Sequence, residues 1–291
     1  MEDKTTTLVE AVAQLVPDGC SLGIAAPAVN PVALVSMAGV REIARQRKRG
    51  LTVFTAMAEL ETDLLIGADC VSAVQCWAAQ LFGRGTPPNF RRAAEAGTLT
   101  VREHSEFTFS LGALAGSMGV AFIPLHGYHT DNVRHHPEWP RFSSPLDGED
   151  LLAITAIAPD VVLMHVPRAD RYGNAQFGDT LRDNVAAQSI APQLVRAAKR
   201  VIITAEEIIP TEQIRAAPED TAILHHDVDA VVHAPLGAHP HGVESYYAPD
   251  TGHINAYAEA AKTVEGFQLY LDRYVHGPSD HEAYRRLVRA E

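Results

Sequence analysis

The segment Val161–Ile209 constrains the fold most, because it combines a strand, a polar loop, a helix and a second strand in one unit. The apolar run Val161–Val166 stops at Pro167, and a helical pattern near 185–198 leads to another apolar run over 200–208. Short apolar runs around a helix indicate strands of a parallel sheet that is covered on both faces. Ligands of such sheets bind beyond the carboxyl ends of the strands.

Strands alternate with helices over most of the chain. A helix is predicted near Leu8–Val16, and another begins near Pro31 and ends in the basic run Arg45–Arg49. The chain therefore predicts a three-layer α/β sandwich with a mainly parallel sheet. We expect one domain over residues 1–291, with a loop excursion around 125–150 and a helical tail over 250–291. Further strands are predicted at Ser21–Ala25, Leu51–Ala56, Val71–Trp77, Thr98–Glu103, Val120–Pro124 and Asp229–Ala234.

The composition excludes several classes of function. The chain has 46% hydrophobic and 21% charged residues, as soluble globular proteins do. A net charge of −12 argues against a nucleic-acid partner, which requires a basic surface. No apolar run reaches the roughly 20 residues of a membrane span, and the polar N-terminus does not resemble a signal peptide. The three cysteines lack metal-type spacing, which favours a reducing, cytoplasmic location.

Two carboxylates lie at a predicted strand-to-helix junction. Glu103 ends a strand, Ser105 is suited to cap the following helix, and Glu106 falls in its first turn. In the simplest interpretation these residues only cap the helix and complement its dipole. Alternatively Glu106, or else Glu103, is a catalytic nucleophile or base, since a helix N-terminus keeps a carboxylate ionised. Both interpretations can hold together.

Other polar residues follow predicted strands. Glu206 comes directly after a strand and either lines a site or is a solvated loop acid. Gly173 and Asn174 favour a left-handed turn, whose N–H groups could also bind an anion. The 14 histidines include short-spaced pairs in separate loops but no HExxH helix, so we expect no metal site.

Several blocks together resemble the A-type subunits of the glutaconate-CoA-transferase branch of the class I CoA transferases. The resemblance runs from Val12 to Val288. Its most specific pieces are GALAGSMG followed by FIP, the RYGNAQ loop and the GAHP turn, and its other pieces include DGCSLGIA, LTVFTA, KRVIITAEEI and the YAEAAKTVEGFQLYLDRYV tail.

This resemblance implies a heteromer with a homologous B-type partner, in which a glutamate usually carried by that partner attacks the acyl-CoA thioester. The implied reaction moves CoA between carboxylic acids through a glutamyl thioester. Its substrates would be an acyl-CoA and a small carboxylic acid, with coenzyme A itself exchanged as substrate and no cofactor bound permanently. The CoA arm would approach Arg171, Gly173, Asn174 and the GAHP turn with its Gly237 and His239.

Two departures from the family pattern leave the reaction open. The first loop reads AAPAVNP instead of a Gly-rich sequence, which leaves Asn30 as a candidate substrate contact. Where typical family members carry an asparagine just before this helix, the present chain reads HSEF, so Glu106 stands at the position of that asparagine. An acid at this position resembles the hydrolases of the family that open the rings of cyclic β-keto acyl-CoA esters. The alternatives to CoA transfer are therefore C–C bond hydrolysis, a CoA-independent biosynthetic reaction, or ligand sensing without catalysis.

Overall fold

The computed structural model describes residues 2–24, 35–81, 83–126, 131–177 and 185–290. Its strands are β1 (Ser21–Ile24), β2 (Leu51–Thr55), β3 (Met57–Ala58), β4 (Val71–Cys76), β5 (Ala78–Ala79), β6 (Thr100–Glu103), β7 (Phe122–His126), β8 (Arg141–Ser143), β9 (Asp150–Thr155), β10 (Val161–Ala169), β11 (Ala175–Gln176), β12 (Arg200–Ile208), β13 (Thr221–Ile223) and β14 (Ala230–His233). Its α-helices are α1 (Leu8–Leu15), α2 (Met37–Arg45), α3 (Leu60–Gly67), α4 (Pro88–Glu95), α5 (Glu106–Ser117), α6 (Val185–Ala197), α7 (Thr211–Ala216), α8 (Thr251–Ala260), α9 (Val264–Leu271) and α10 (His281–Arg289).

A large, mostly parallel sheet organises the described residues. Its parallel strands lie in the order β14-β12-β10-β1-β2-β4-β6, and β11 and β13 add an antiparallel extension beside β10. Because all seven parallel strands run the same way, their carboxyl ends meet at one edge. The predicted mainly parallel α/β fold is therefore confirmed.

Helices cover both faces of the sheet and give it two hydrophobic cores. Successive residues of a strand point to opposite faces, so Leu163 packs into the core with α1, α2 and α3, while Val162 and Met164 pack into the core with α5 and α6. At the second face Gly116 of α5 allows a close approach, since a Cβ there would lie 2.1 Å from the carbonyl oxygen of Ile157.

Two local predictions of strand and helix bounds were wrong. The strand that begins at Val161 does not stop at Pro167 but continues to Ala169. Its pairing with β12 continues across the proline, because Val166 pairs with Ala205 before it and Arg168 pairs with Glu207 after it. Proline is tolerated there because β1 pairs with β10 only as far as Leu163. The predicted second helix is not continuous through Val35: α2 begins at Met37, because the Ser36 hydroxyl caps it by accepting from the Gly39 N–H. Pro31, where this helix was predicted to begin, lies outside the described residues.

The excursion after β7 is more ordered than its sequence predicts. Strands β7, β9 and β8 form a separate antiparallel sheet over a small core of Trp139, Leu152 and Ile154. The apolar run from Leu152 is part of β9 and so belongs to this sheet. Within the described ranges, no helix is long and apolar enough to cross a membrane.

Candidate active site

The carboxyl edge of the main sheet carries most of the predicted site residues. Glu103 ends β6, Glu206 lies near the end of β12, and the GAHP turn follows β14. The RYGN turn follows β10. Asn30 follows β1 but lies outside the described residues, so its prediction stays untested.

Glu106 is the first residue of α5, and it is exposed. The helix is capped without it: the Ser105 hydroxyl accepts from the Thr108 N–H at 3.1 Å, and the Thr108 hydroxyl accepts from the Ser105 N–H at 3.0 Å. The predicted Ser105 cap is thus confirmed. Within the part of the chain that the structure describes, no hydrogen bond or ion pair engages the Glu106 carboxylate. This carboxylate is therefore available for chemistry.

A cluster of His104, His136 and Trp139 connects the end of β6 to the segment between β7 and β8. The His136 ring stacks on Trp139 with centroids 3.8 Å apart, and its Nε2 lies 2.9 Å from the main-chain oxygen of Glu103. His104 is buried beside His136, and burial lowers the pKa of His104 to about 3, with a further contribution from His136. The Glu103 side chain remains exposed. Sequence reasoning missed this cluster because its histidines lie in separate segments of the chain.

Glu206 is buried, and its carboxylate is fully occupied by donors of the protein. Oε1 accepts hydrogen bonds from the Tyr247 hydroxyl at 2.7 Å and the Gly237 N–H at 3.2 Å, and it lies 2.8 Å from His165 Nε2. Oε2 accepts from the Leu236 N–H at 2.9 Å. Burial alone would raise the pKa of Glu206, but the contact with His165 and the other donors outweigh it and lower this pKa. These contacts favour a structural role over substrate binding.

The GAHP turn is also held by internal contacts. A Cβ on Gly237 would lie 2.5 Å from Cε1 of His165, so only glycine fits against that ring. His239 Nδ1 lies 2.7 Å from the Tyr284 hydroxyl. Burial first, and then the charge of Arg41, lower the pKa of His239, so its imidazole is neutral at pH 7. Any role of this turn in binding CoA stays a prediction.

The RYGN turn contributes an exposed arginine to an open cleft. Asp170 shapes the turn by accepting from the N–H groups of Tyr172 and Asn174, each at 3.0 Å, and Gly173 has a φ of 101°. Arg171 points outward, with its guanidinium 4.7 Å from the centroid of the Tyr172 ring. A cleft of about 460 Å³ opens beside it, and its lining includes Arg215. The same lining includes Glu212, and Arg171 lies 3.9 Å from Asp3, so two carboxylates offset the positive charge of the two arginines.

The predicted site residues form two groups rather than one. Five strand spacings separate Glu206 on β12 from Glu103 on β6, or roughly 24 Å at about 4.8 Å each. Glu103 and Glu106 form an acidic corner at one end of the edge, and the RYGN and GAHP turns lie toward the other. A single small molecule cannot touch both groups, whereas an extended ligand can.

Glu59, which sequence reasoning missed, lies between β3 and α3, shortly after the end of the central strand β2 of the main sheet. Burial first, and then the negative charge of Glu61, raise the pKa of Glu59 to about 9, which keeps it protonated at neutral pH. A neutral carboxyl group can donate a hydrogen bond or a proton. The available signal was an acid just after a buried strand, the same signal that identified Glu206.

Comparisons with known proteins agree over nearly the whole chain. A family model described as Coenzyme A transferase matches residues 5–234. The A-type subunit of 3-oxoadipate CoA-transferase from Pseudomonas knackmussii is 30% identical, with 97% of each chain covered. The cholesterol ring-cleaving hydrolase IpdA subunit of Mycobacterium tuberculosis is also 30% identical, again with 97% of each chain covered.

An uncharacterized protein of Archaeoglobus fulgidus is 36% identical over 99% of this chain. The present chain spans only 63% of that relative's length. Among solved structures, glutaconate coenzyme A-transferase from Acidaminococcus fermentans is similar with a TM-score of 0.87 and 27% identity, covering 99% of this chain and 93% of that one. The similarity thus includes both the sheet and the elements that carry the site.

Proposed function

The chain belongs to the coenzyme A transferase family, as its sequence predicted, and we propose that it is the A-type chain of a cytoplasmic heteromer that moves CoA between carboxylic acids. An enzyme carboxylate attacks the donor thioester to give a mixed anhydride and the CoA thiolate. The thiolate then attacks the enzyme carbonyl of the anhydride, which releases the donor acid and leaves a glutamyl-CoA thioester. The acceptor acid reverses these steps and leaves with CoA.

The observation that carries this proposal is the unengaged carboxylate of Glu106. Ser105 and Thr108 cap the start of α5 through reciprocal hydrogen bonds, so the cap does not require an acid at position 106. A carboxylate without a partner in the protein can act as a nucleophile or as a base. Its exposure also leaves one side of the site to be completed by another chain.

The surface around this corner supports a partner chain. Of nine large hydrophobic side chains exposed in the described part of the chain, five fall between α5 and the turn before β9. Phe107 lies beside Glu106, whereas Met118 and Val120 lie past the far end of α5. Exposed apolar side chains of this kind are typical of protein interfaces. We assign this surface to a homologous B-type partner, whose contacts would exclude water from Glu106. The five residues are Phe107, Met118, Val120, Phe122 and Leu146.

The cleft beside the RYGN turn supports a role in binding the phosphates of CoA. Arg171 and Arg215 supply the cationic groups of this cleft, and a phosphate would bind them in competition with the carboxylates of Glu212 and Asp3. An acyl-CoA lying along the carboxyl edge would place its phosphates near these arginines and its acyl group toward the acidic corner. This orientation uses both groups of predicted residues in a single ligand.

Hydrolysis of a C–C bond is the second candidate reaction. It is favoured by the acid at position 106 together with the 30% identity to the ring-cleaving hydrolase subunit. In that case Glu106 would act as a base on water or on the substrate, and no acceptor acid would be needed.

The test is the Glu106→Gln variant, purified with the B-type partner and assayed with acyl-CoA esters in the presence and absence of a carboxylic acid. We expect turnover to fall about a hundredfold or more, with unchanged thermal stability. Glu265→Gln is the matched control, because Glu265 is an exposed first-turn acid of the Thr263-capped helix α9. Turnover of Glu106→Gln within about threefold of wild type would contradict a catalytic role for Glu106.

The products separate the two reactions. Transfer requires the acceptor and gives a new acyl-CoA, whereas ring opening adds one water to the substrate without an acceptor. Mass spectrometry after borohydride reduction would also locate a glutamyl thioester on either chain of the heteromer. If it lies on the B-type partner, Glu106 acts as a base or as a positioning residue instead of the nucleophile.

A further inference from the structure

A cluster of two histidines and one aspartate lies between the GAHP turn and the start of α8. One donor atom from each of His239, Asp250 and His253 lies within 4.8 Å of the other two. His239 Nε2 is 3.2 Å from Asp250 Oδ2, and the rings of His239 and His253 have centroids 5.1 Å apart. Ligand atoms about 2.1 Å from a tetrahedral zinc ion lie roughly 3.4 Å from one another, so small side-chain rotations would close this set around an ion.

Tyrosine hydroxyls orient both imidazole rings. The Tyr284 hydroxyl lies 2.7 Å from Nδ1 of His239, and the Tyr270 hydroxyl lies 2.9 Å from Nε2 of His253. Partners of this kind fix the ring orientation of metal-binding histidines, and their loss typically weakens metal binding. Both histidines are buried, whereas Asp250 is exposed, so an ion could enter from solvent at the carboxylate.

The backbone around the cluster is well anchored. The other oxygen of Asp250 caps α8 by accepting from the His253 N–H at 2.8 Å, which places these two ligands on one rigid turn. The Tyr247 hydroxyl accepts from the Ala238 N–H at 3.2 Å, which fixes the backbone one residue before His239. A bound ion would therefore join the GAHP turn to α8.

We propose that His239, Asp250 and His253 form a binding site for a transition-metal dication, with zinc as the best match to two imidazoles and one carboxylate. Zinc binding here does not require transferase activity, although His239 is also a predicted CoA contact. Its main opposing feature is Arg41, whose guanidinium donates to the main-chain oxygen of His239 at 2.8 Å. That positive charge weakens the binding of a dication, so we expect micromolar rather than nanomolar affinity.

Calorimetric titration of the chelator-stripped full chain with ZnCl₂ tests the site. We expect one equivalent to bind, with affinity reduced at least about tenfold in Asp250→Asn and in His253→Gln. Asparagine caps helices as well as aspartate does, so Asp250→Asn removes the ligand while retaining the helix start. The control is His126→Gln, which removes an exposed histidine 2.9 Å from Glu149 and should bind zinc as wild type does.

Two further measurements keep the result interpretable. Titration with Co²⁺ should give visible absorption bands of a tetrahedral site in wild type and in His126→Gln, but not in the other two variants. Zinc should also raise the melting temperature of wild type and leave that of Asp250→Asn unchanged. The proposal is overturned if wild type shows no zinc heat at millimolar metal, or if Asp250→Asn and His253→Gln bind zinc as tightly as wild type.

Discussion

Replacing Glu206 by glutamine separates a structural role from substrate binding. A glutamine has one acceptor oxygen where the carboxylate has two. The cheaper orientation puts the amide oxygen at Oε1, which retains Tyr247, Gly237 and His165 as partners. The amide nitrogen then faces the Leu236 N–H, and two donors cannot bond to each other.

The expected loss follows from these contacts. An unsatisfied N–H of this kind costs about 1–3 kcal/mol, and the remaining bonds weaken when their acceptor becomes neutral. Leu236 also has a φ of 59°, a left-handed conformation that its hydrogen bond to Glu206 helps to hold. Removing the buried charge offsets part of the loss, so we expect a net cost of about 3 kcal/mol.

Thermal unfolding followed by circular dichroism measures this cost. At about 2 °C per kcal/mol for a chain of this size, the melting temperature should fall by roughly 6 °C. Glu207→Gln is the matched control, because Glu207 is the exposed neighbour on the same strand and should melt as wild type does. If Glu206→Gln melts within about 1 °C of the control but loses activity, the structural argument is wrong and Glu206 acts on substrate.

Three other predictions follow from burial and packing. The pKa of His104 is lowered to about 3 from 6.5, so protonation below pH 6.5 favours the unfolded chain. The free energy of unfolding should therefore drop by about 2 kcal/mol between pH 7 and pH 5 because of this group. Urea unfolding at both pH values should show a smaller drop in His104→Gln than in wild type, and an equal drop would refute the assignment. Gly237→Ala should lower the free energy of unfolding by about 1–3 kcal/mol in urea, because the added Cβ would clash with the His165 ring. A free energy equal to that of wild type would mean that the turn moves to relieve this clash. Burial raises the pKa of Cys20 and Cys70 to about 11 and that of Cys76 to about 12, so all three thiols should react with Ellman's reagent at pH 8 only after unfolding, and rapid reaction of the native chain would contradict this.

The sequence predicts those parts of the fold that depend on local patterns. The apolar runs located the strands of the parallel sheet, and Ser105 located the start of α5, because a cap depends on residues only three positions apart. The predicted helix through Val35 was wrong because Ser36 caps α2, and the apolar spacing on either side of Ser36 does not reveal that break. Likewise, β9 has the apolar pattern of a core strand, but its partners are β7 and β8.

The candidate site was only partly predictable for a related reason. The position of Glu106 at the start of α5 could be predicted because it depends on a single strand-to-helix junction, whereas its catalytic role stays a prediction. The role of Glu206 could not, since its partners His165, Leu236 and Tyr247 are distant in the sequence and give no pattern around position 206. The histidine pair near α8 was missed similarly, because His239 and His253 meet only after the turn and the helix have packed together.

The network around Glu206 has a consequence for the order of folding. Thr204 donates to the hydroxyl of Ser36 across 168 residues of sequence, while His165 joins Thr204 to Glu206. These bonds can form only after the two halves of the chain have docked, so they belong to a late stage of folding. Interactions absent from the folding transition state control unfolding rates far more than folding rates. We therefore expect substitutions in this buried network to raise the unfolding rate far more than they lower the folding rate.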